Sequence, residues 1–253
     1  MITITICQRK GGNGKSTSAL NLAHAFALSG KKVLLIDLDD QKNTTSAIPT
    51  LTPPVHSIEA LLVRSDLALS EVAVETGWEG VSLVAASASL SGAIRELDSE
   101  VGSHLVLKEK LDAQNEYDFC LIDTSPSLNI LVVNALCASE YVFIPLSSRY
   151  FSLQGLGQTL ESVRKVSARL KAGLHILGMA FVIHDSRSGL AREVIEKARA
   201  TYPELLCTST VGQNIRIEEA QVLRQSIFSY APRDRGAAQY RSLADELLRR
   251  MEA

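Results

Sequence analysis

Short apolar, β-branched runs alternate along the chain with longer stretches whose apolar positions recur every three or four residues. Residues 2–7 read as a first strand, and residues 16–29 as a helix with Leu20, Ala23, Phe26 and Ala27 on one face. Gly30 supplies a stop for that helix. Residues 33–37 are continuously apolar up to an acid, the pattern of a strand covered on both faces. The same character returns at 81–86, 119–123, 141–146 and 176–183. Helical patterns lie between, most clearly at 153–170, 190–202 and 236–251. This alternation predicts an α/β fold with a mostly parallel central sheet and helices on both faces. The stretch 44–80 is less regular: Pro49, Pro53 and Pro54 interrupt it, and Leu61, Leu62, Leu67 and Leu69 suit only short helices. No repeat, low-complexity tract or linker divides the chain, so residues 1–253 are expected to form a single domain.

Composition adds limits. With 46% apolar side chains the chain can bury a sizeable core, which excludes wholesale disorder. The longest apolar runs are too short to span a bilayer, and the N-terminus lacks the pattern of a signal peptide. A soluble, cytoplasmic protein is expected. Cys7, Cys120, Cys137 and Cys207 lie in or beside apolar runs without metal-ligand or redox spacing, as buried reduced thiols do. The net charge of −2 conceals an asymmetry: residues 1–140 carry 10 basic and 17 acidic side chains, residues 141–253 carry 16 and 11. The C-terminal part could therefore face an anionic partner.

The most informative segment is Lys10-Gly11-Gly12-Asn13-Gly14-Lys15-Ser16-Thr17, which follows a predicted strand and opens a predicted helix. Glycines let the backbone curl so that successive N–H groups face phosphate oxygens, and the helix adds its positive end. Lys15 offers a point charge to the β- and γ-phosphates, and the Ser16 hydroxyl a ligand for Mg²⁺. ATP and Mg²⁺ are the expected ligands. The run 33–39 ends in Asp37 and Asp39, which alternation places on one face at the strand's C-terminal end, where α/β sheets bind ligands. Residues 119–123 have the Walker B form, an apolar strand delivering Asp123 beside the metal.

The loop resembles the deviant Walker A signature, K-G-G-x-G-K-[ST]-T, of the ParA/MinD family of P-loop NTPases, and it is most similar to ParA-type partition ATPases. The resemblance implies that Lys10 reaches across a homodimer interface to the partner's ATP phosphates. Residues 37–43 resemble the family's D-x-D-P-Q-x-N segment, with Asp40 where proline is usual and Lys42 where a small residue is usual. By that match Asp39 orients the attacking water, while Asp37 shapes the same site. Asp123 would hold the Mg²⁺ shell through water, and Thr124-Ser125-Pro126-Ser127 is similar to D-x-P-P-S with serine for the first proline.

The resemblance runs nearly end to end. Residues 144–157, 213–220 and 236–240 are similar to further family segments. In relatives the backbone matching Asn214 lines the adenine pocket, although Gly212 and Gln213 replace the usual Pro-Arg. His184 could approach the base or be a structural histidine. Arginines matching Arg187 and Arg216 contact DNA phosphates in DNA-segregating members, and Lys197, Arg192 and Arg224 could widen that patch.

The implied function is an ATP-dependent dimerising ATPase, nucleoid-associated through non-specific DNA binding. It would position a cargo together with a ParB-like or other cargo-bound activator. The chain opens at its first strand, with no helix-turn-helix before it, so operator reading is not expected. A MinD-type membrane-cycling ATPase is the alternative. It calls for a basic amphipathic tail, whereas Tyr240, Leu243, Leu247 and Met251 form a stripe suited to packing on the sheet, so no membrane is expected. An iron–sulfur reductase would need two cysteines at a dimer seam, for which Cys137 has no companion. A non-hydrolysing ATP-binding module would have no use for Asp39.

Overall fold

The computed structural model describes residues 1–113, 116–148, 152–185 and 188–252. Its elements alternate as the hydrophobic pattern predicts. Strand β1 (Ile2–Ile6) leads to α1 (Lys15–Leu28), then β2 (Val33–Leu38), α2 (Asn43–Ala47) and α3 (Ile58–Val63). A two-residue β3 (Val74–Glu75) precedes β4 (Val81–Val84), α4 (Leu90–Leu97) and α5 (Val106–Asp112). Next come β5 (Phe119–Thr124), α6 (Ile130–Ala138), β6 (Tyr141–Ser147), α7 (Ser152–Arg169) and β7 (His175–Ile183). Four helices close the chain: α8 (Gly189–Thr201), α9 (Ile215–Val222), α10 (Ile227–Tyr230) and α11 (Arg235–Glu252).

The strands form one sheet in the order β3-β4-β2-β5-β1-β6-β7, with β3 antiparallel to β4 and every other pairing parallel. Period-two alternation decides what each face covers. Ile4, Ile6, Val33, Leu35 and Phe143 pack with α1 and α11, where Phe26 and Tyr240 are fully buried. Burying a side chain of that size stabilises the fold by about 2–3 kcal/mol. On the other face Leu34, Ile36 and Ile122 meet α3, α4 and α5, and Val142, Ile144 and Leu146 meet α7 and α8. The α11 stripe of Tyr240, Leu243 and Leu247 lies in the core, as the sequence predicts.

Because these strands are parallel, their C-terminal ends converge on one edge of the sheet. The register there is direct: Asp37 of β2 lies opposite Asp123 of β5, and Asp123 opposite Ile6 of β1. Two acids and the start of the glycine loop therefore meet at one place. The two-residue β3 gave no readable signal in the sequence, being too short to show a period.

Candidate active site

The loop between β1 and α1 is shaped by its glycines. Gly12 and Gly14 have φ of 74° and 78°, the left-handed region that L side chains avoid. A Cβ on Gly14 would also stand 2.9 Å from Val182 Cγ2, so angle and packing both require glycine there. The turn aims backbone N–H groups and the start of α1 at a cavity of about 630 Å³. Gly11, Gly12, Gly14, Lys15, Ser16 and Thr17 line one wall of that cavity, and Asp39 and Gln41 stand among its other lining residues. Lys15 is buried apart from its access to this space.

Two loop residues behave differently. Asn13 is buried and accepts a hydrogen bond from Ser147 Oγ at 2.9 Å, so its side chain braces the loop against the end of β6. Lys10 is not among the residues lining the cavity that Lys15 enters. It lies against α7, where a Cβ on Gly155 would come within 3.2 Å of Lys10 Cβ.

The carboxylates divide their labour. Asp37 is fully buried and spends both oxygens internally: Oδ1 accepts from the Asp39 N–H at 3.1 Å, and Oδ2 from the Thr45 N–H and hydroxyl at 2.8 and 2.7 Å. It shapes the segment without reaching outward. Asp123, also fully buried, accepts from Thr44 Oγ1 at 2.7 Å through Oδ2, while Oδ1 has no hydrogen-bond partner. Burial pushes both acids above the usual carboxylate range, Asp123 further through the neighbouring charge of Asp37. The hydroxyls of Ser16 and Thr44 and the Lys15 ammonium pull Asp123 the other way. Asp39 is raised first by burial, against the Gln41 N–H that donates to its Oδ1 at 3.0 Å and the charge of Lys15.

This arrangement fits Mg²⁺. That ion keeps several waters and binds one or two carboxylates together with substrate phosphates. An unshared buried carboxylate oxygen near Ser16 meets that need. Among the described residues no three His, Cys, Asp or Glu side chains converge into a protein-only metal cage.

Beyond the loop, a smaller cavity of about 110 Å³ is lined by Thr17, Ile183, Gly212, Gln213, Asn214 and Gln221 among others. Thr17 and Gln221 line both spaces, and Gln221 Nε2 donates to Thr17 Oγ1 at 3.0 Å. The Asn214 side chain is engaged as the N-cap of α9, accepting from the Arg216 N–H at 2.9 Å while donating to Asp234 at 2.5 Å. His184 contacts Thr210 at 3.3 Å and stands beside Gly212.

Of the two arginines singled out for DNA, Arg187 lies outside the described residues. Arg216 is exposed on the first turn of α9, paired with Glu219 at 2.8 Å. Arg224 is exposed, and its guanidinium also donates to the Ile48 carbonyl at 2.9 Å, tying the turn after α9 to the chain after α2. All four cysteines are buried free thiols, and burial holds Cys7, at the mouth of the loop, up at about 11. Sequence reasoning missed Thr44, Thr45 and Gln221. The two threonines follow directly on the 37–43 segment, so their place one turn beyond the acids was a usable signal; Gln221 offered none.

Comparisons with known proteins agree with this fold. A family model described as an AAA domain matches residues 1–176. The sporulation initiation inhibitor protein Soj of Bacillus subtilis is 35% identical over 245 residues, covering 96% of this chain and 97% of its own. The chromosome-partitioning ATPase Soj of Treponema pallidum is 36% identical over 249 residues, 98% of this chain and 97% of its own. Among solved structures, a Mycobacterium smegmatis protein described as cobyrinic acid a,c-diamide synthase with bound ADP and magnesium superposes with a TM-score of 0.85 at 28% identity, covering 100% of this chain and 96% of that one. Identity of this order along nearly the whole length, with the two-lysine loop in place on the expected sheet, means that the chain belongs to the ParA/MinD family of P-loop ATPases, on its Soj-like side.

Proposed function

We propose that this protein is a positioning ATPase in which ATP closes two copies into a dimer, the dimer holds DNA without reading sequence, and a cargo-bound partner triggers hydrolysis and release. The protein hydrolyses ATP, with Mg²⁺ as cofactor. Residues 1–253 act as one unit in this cycle. Phosphoryl transfer to water is largely positioning and charge stabilisation, so no protein nucleophile is required. Lys15 and the loop N–H groups bind the phosphates, and Asp39 orients the attacking water from inside the cavity. Ser16 and Asp123 hold Mg²⁺, which when bound neutralises charge developing on the phosphates. The backbone beside Asn214 receives the adenine in the smaller cavity.

One observation carries the dimer reading: Lys15 lines the phosphate cavity, while Lys10, five residues earlier in the same loop, does not. A loop lysine placed outside its own phosphate cavity suits delivery to a neighbouring copy. The DNA reading rests on the basic balance of residues 141–253 and on Arg216, exposed beside the nucleotide cavities. Arg187 takes the same role in this reading, on its resemblance to arginines of DNA-segregating members. On this reading the protein works on the nucleoid.

The test is a low-salt mobility shift with unrelated duplexes. MgATP should promote retardation of every duplex alike, and retardation should fall steeply as salt rises. Pelleting with liposomes in MgATP, without any DNA shift, would overturn the DNA reading in favour of membrane cycling.

A further inference from the structure

Helix α2 begins directly after the segment that carries Asp39, and its first turn presents two consecutive threonines to the two strand-end acids. Thr45 fastens that turn: its N–H and hydroxyl donate to Asp37, and its Oγ1 accepts from the Ala86 N–H at 2.9 Å. Thr44, fully buried, donates its one hydroxyl proton to Asp123 Oδ2 at 2.7 Å. A carboxylate fixed through one oxygen is fixed in rotation, so the bond determines where the other oxygen points. That other oxygen, Oδ1, is buried without a hydrogen-bond partner.

We propose that Thr44 is a positioning residue for the metal, its hydroxyl holding Asp123 so that Oδ1 faces the Mg²⁺ that accompanies ATP. This rests on the ATP–Mg²⁺ reading of the same cavity. It ties the grip on the metal to the seating of α2. Displacing the 39–47 segment withdraws that hydroxyl and loosens the hold on Asp123, leaving only the Ser16 hydroxyl beside it. The segment that orients the attacking water thereby also reports to the metal. Partners that hold a metal ligand in place commonly contribute ten- to a hundredfold to metal affinity.

The test measures binding of a fluorescent ATP analogue in excess EDTA and in a Mg²⁺ titration, for the parent protein, Thr44→Val and Thr44→Ser. Valine keeps the shape and removes the hydroxyl; serine keeps the hydroxyl. Thr44→Val should raise the Mg²⁺ concentration needed for half-maximal enhancement about tenfold while leaving binding in EDTA unchanged, and Thr44→Ser should restore the parent value. Should valine not give folded protein, Thr44→Ala against Thr44→Ser makes the same comparison. An unshifted Mg²⁺ titration in the hydroxyl-free variant overturns the proposal. So does an equal loss in EDTA, which marks general damage, or a serine variant as impaired as valine. A parent protein whose binding ignores Mg²⁺ altogether would instead remove the ATP–Mg²⁺ reading beneath it.

Discussion

Lys42 stands at φ 54° as the residue before α2, a left-handed conformation in which a Cβ crowds the following carbonyl. Glycine relieves the crowding at the cost of a freer unfolded chain, whereas a β-branched side chain aggravates it. Lys42→Gly should therefore leave thermal stability within about 1 kcal/mol, and Lys42→Val should lower it by about 1–2 kcal/mol; denaturant titrations would compare them. Arg216 raises a different question, because its neighbour Glu219 already occupies it and also accepts from Tyr230 Oη at 2.9 Å. A DNA phosphate must compete with that carboxylate. Arg216→Ala should weaken DNA binding and flatten its salt dependence by about one charge, while Glu219→Gln should strengthen binding. Equal retention of DNA by parent, alanine and glutamine variants would remove Arg216 from the interface. Arg224 shows why the sequence could not settle such matters. A lone basic residue reads the same whether it only meets solvent or, as here, also donates to the Ile48 carbonyl from a left-handed backbone of φ 56°.

Helix α1 carries more than the end of the glycine loop. Near its C-terminal end His24 is buried, stacked on Trp78 at 5.2 Å, with Nδ1 2.5 Å from Ser226 Oγ. Burial lowers its pKa to about 4. The unfolded chain accepts a proton near pH 6.5, which the folded chain refuses until about pH 4. The term His24 contributes to stability is thus fully present above about pH 6.5 and is lost as pH falls toward 4, by up to about 3 kcal/mol. His24→Gln should reduce the proton uptake on unfolding across that window by about one, as read from stability against pH; an unchanged slope would mean that His24 is protonated in the fold. Helix α7 poses a steric test. Gly155→Ala would set a Cβ 3.2 Å from Lys10 Cβ and 3.4 Å from Gln8 Oε1, tilting the loop that carries Lys10, whereas Gly157→Ala meets nothing within 4 Å. The first should weaken ATP-dependent dimerisation in light scattering and spare nucleotide binding; the second should do neither. Most of this framework was legible because parallel strands buried on both faces write apolar runs that stop only at a functional acid, as in Val33–Leu38 and Phe119–Thr124. The 44–80 region was legible only in part: the short helix around Leu61 and Leu62 was expected, whereas α2 and β3 were not. Helices as short as α2 and α3 cannot stand on local pattern, and they exist because Ile58, Leu61 and Leu62 find the far face of the sheet and because Asp37 and Asp123 seize Thr45 and Thr44.

For the whole molecule the proposed cycle depends on ATP being shared between copies. A two-fold dimer presents each contact twice, so a single substitution removes both crossing ammonium groups at once. Removing one partner of a desolvated charge pair costs about 2–5 kcal/mol, so Lys10→Ala should weaken the ATP dimer by at least roughly thirtyfold. Its binding of ATP as a monomer should be unaffected, since Lys10 does not line that cavity. Asp39→Ala acts in the opposite sense. It withdraws a carboxylate from beside the phosphates and from the attacking water, so ATP persists and the dimer should accumulate, on DNA and in solution. The two variants alone leave a gap, because a dimer held by some other surface would also survive Asp39→Ala. The combined Lys10→Ala, Asp39→Ala protein closes it. With ATP it should bind nucleotide, fail to turn it over, and elute at monomer mass in light scattering, because slow hydrolysis cannot compensate for a missing cation. A double variant that still doubles its mass with ATP would show that Lys10 does not cross between copies, and the ATP-closed dimer would need another explanation.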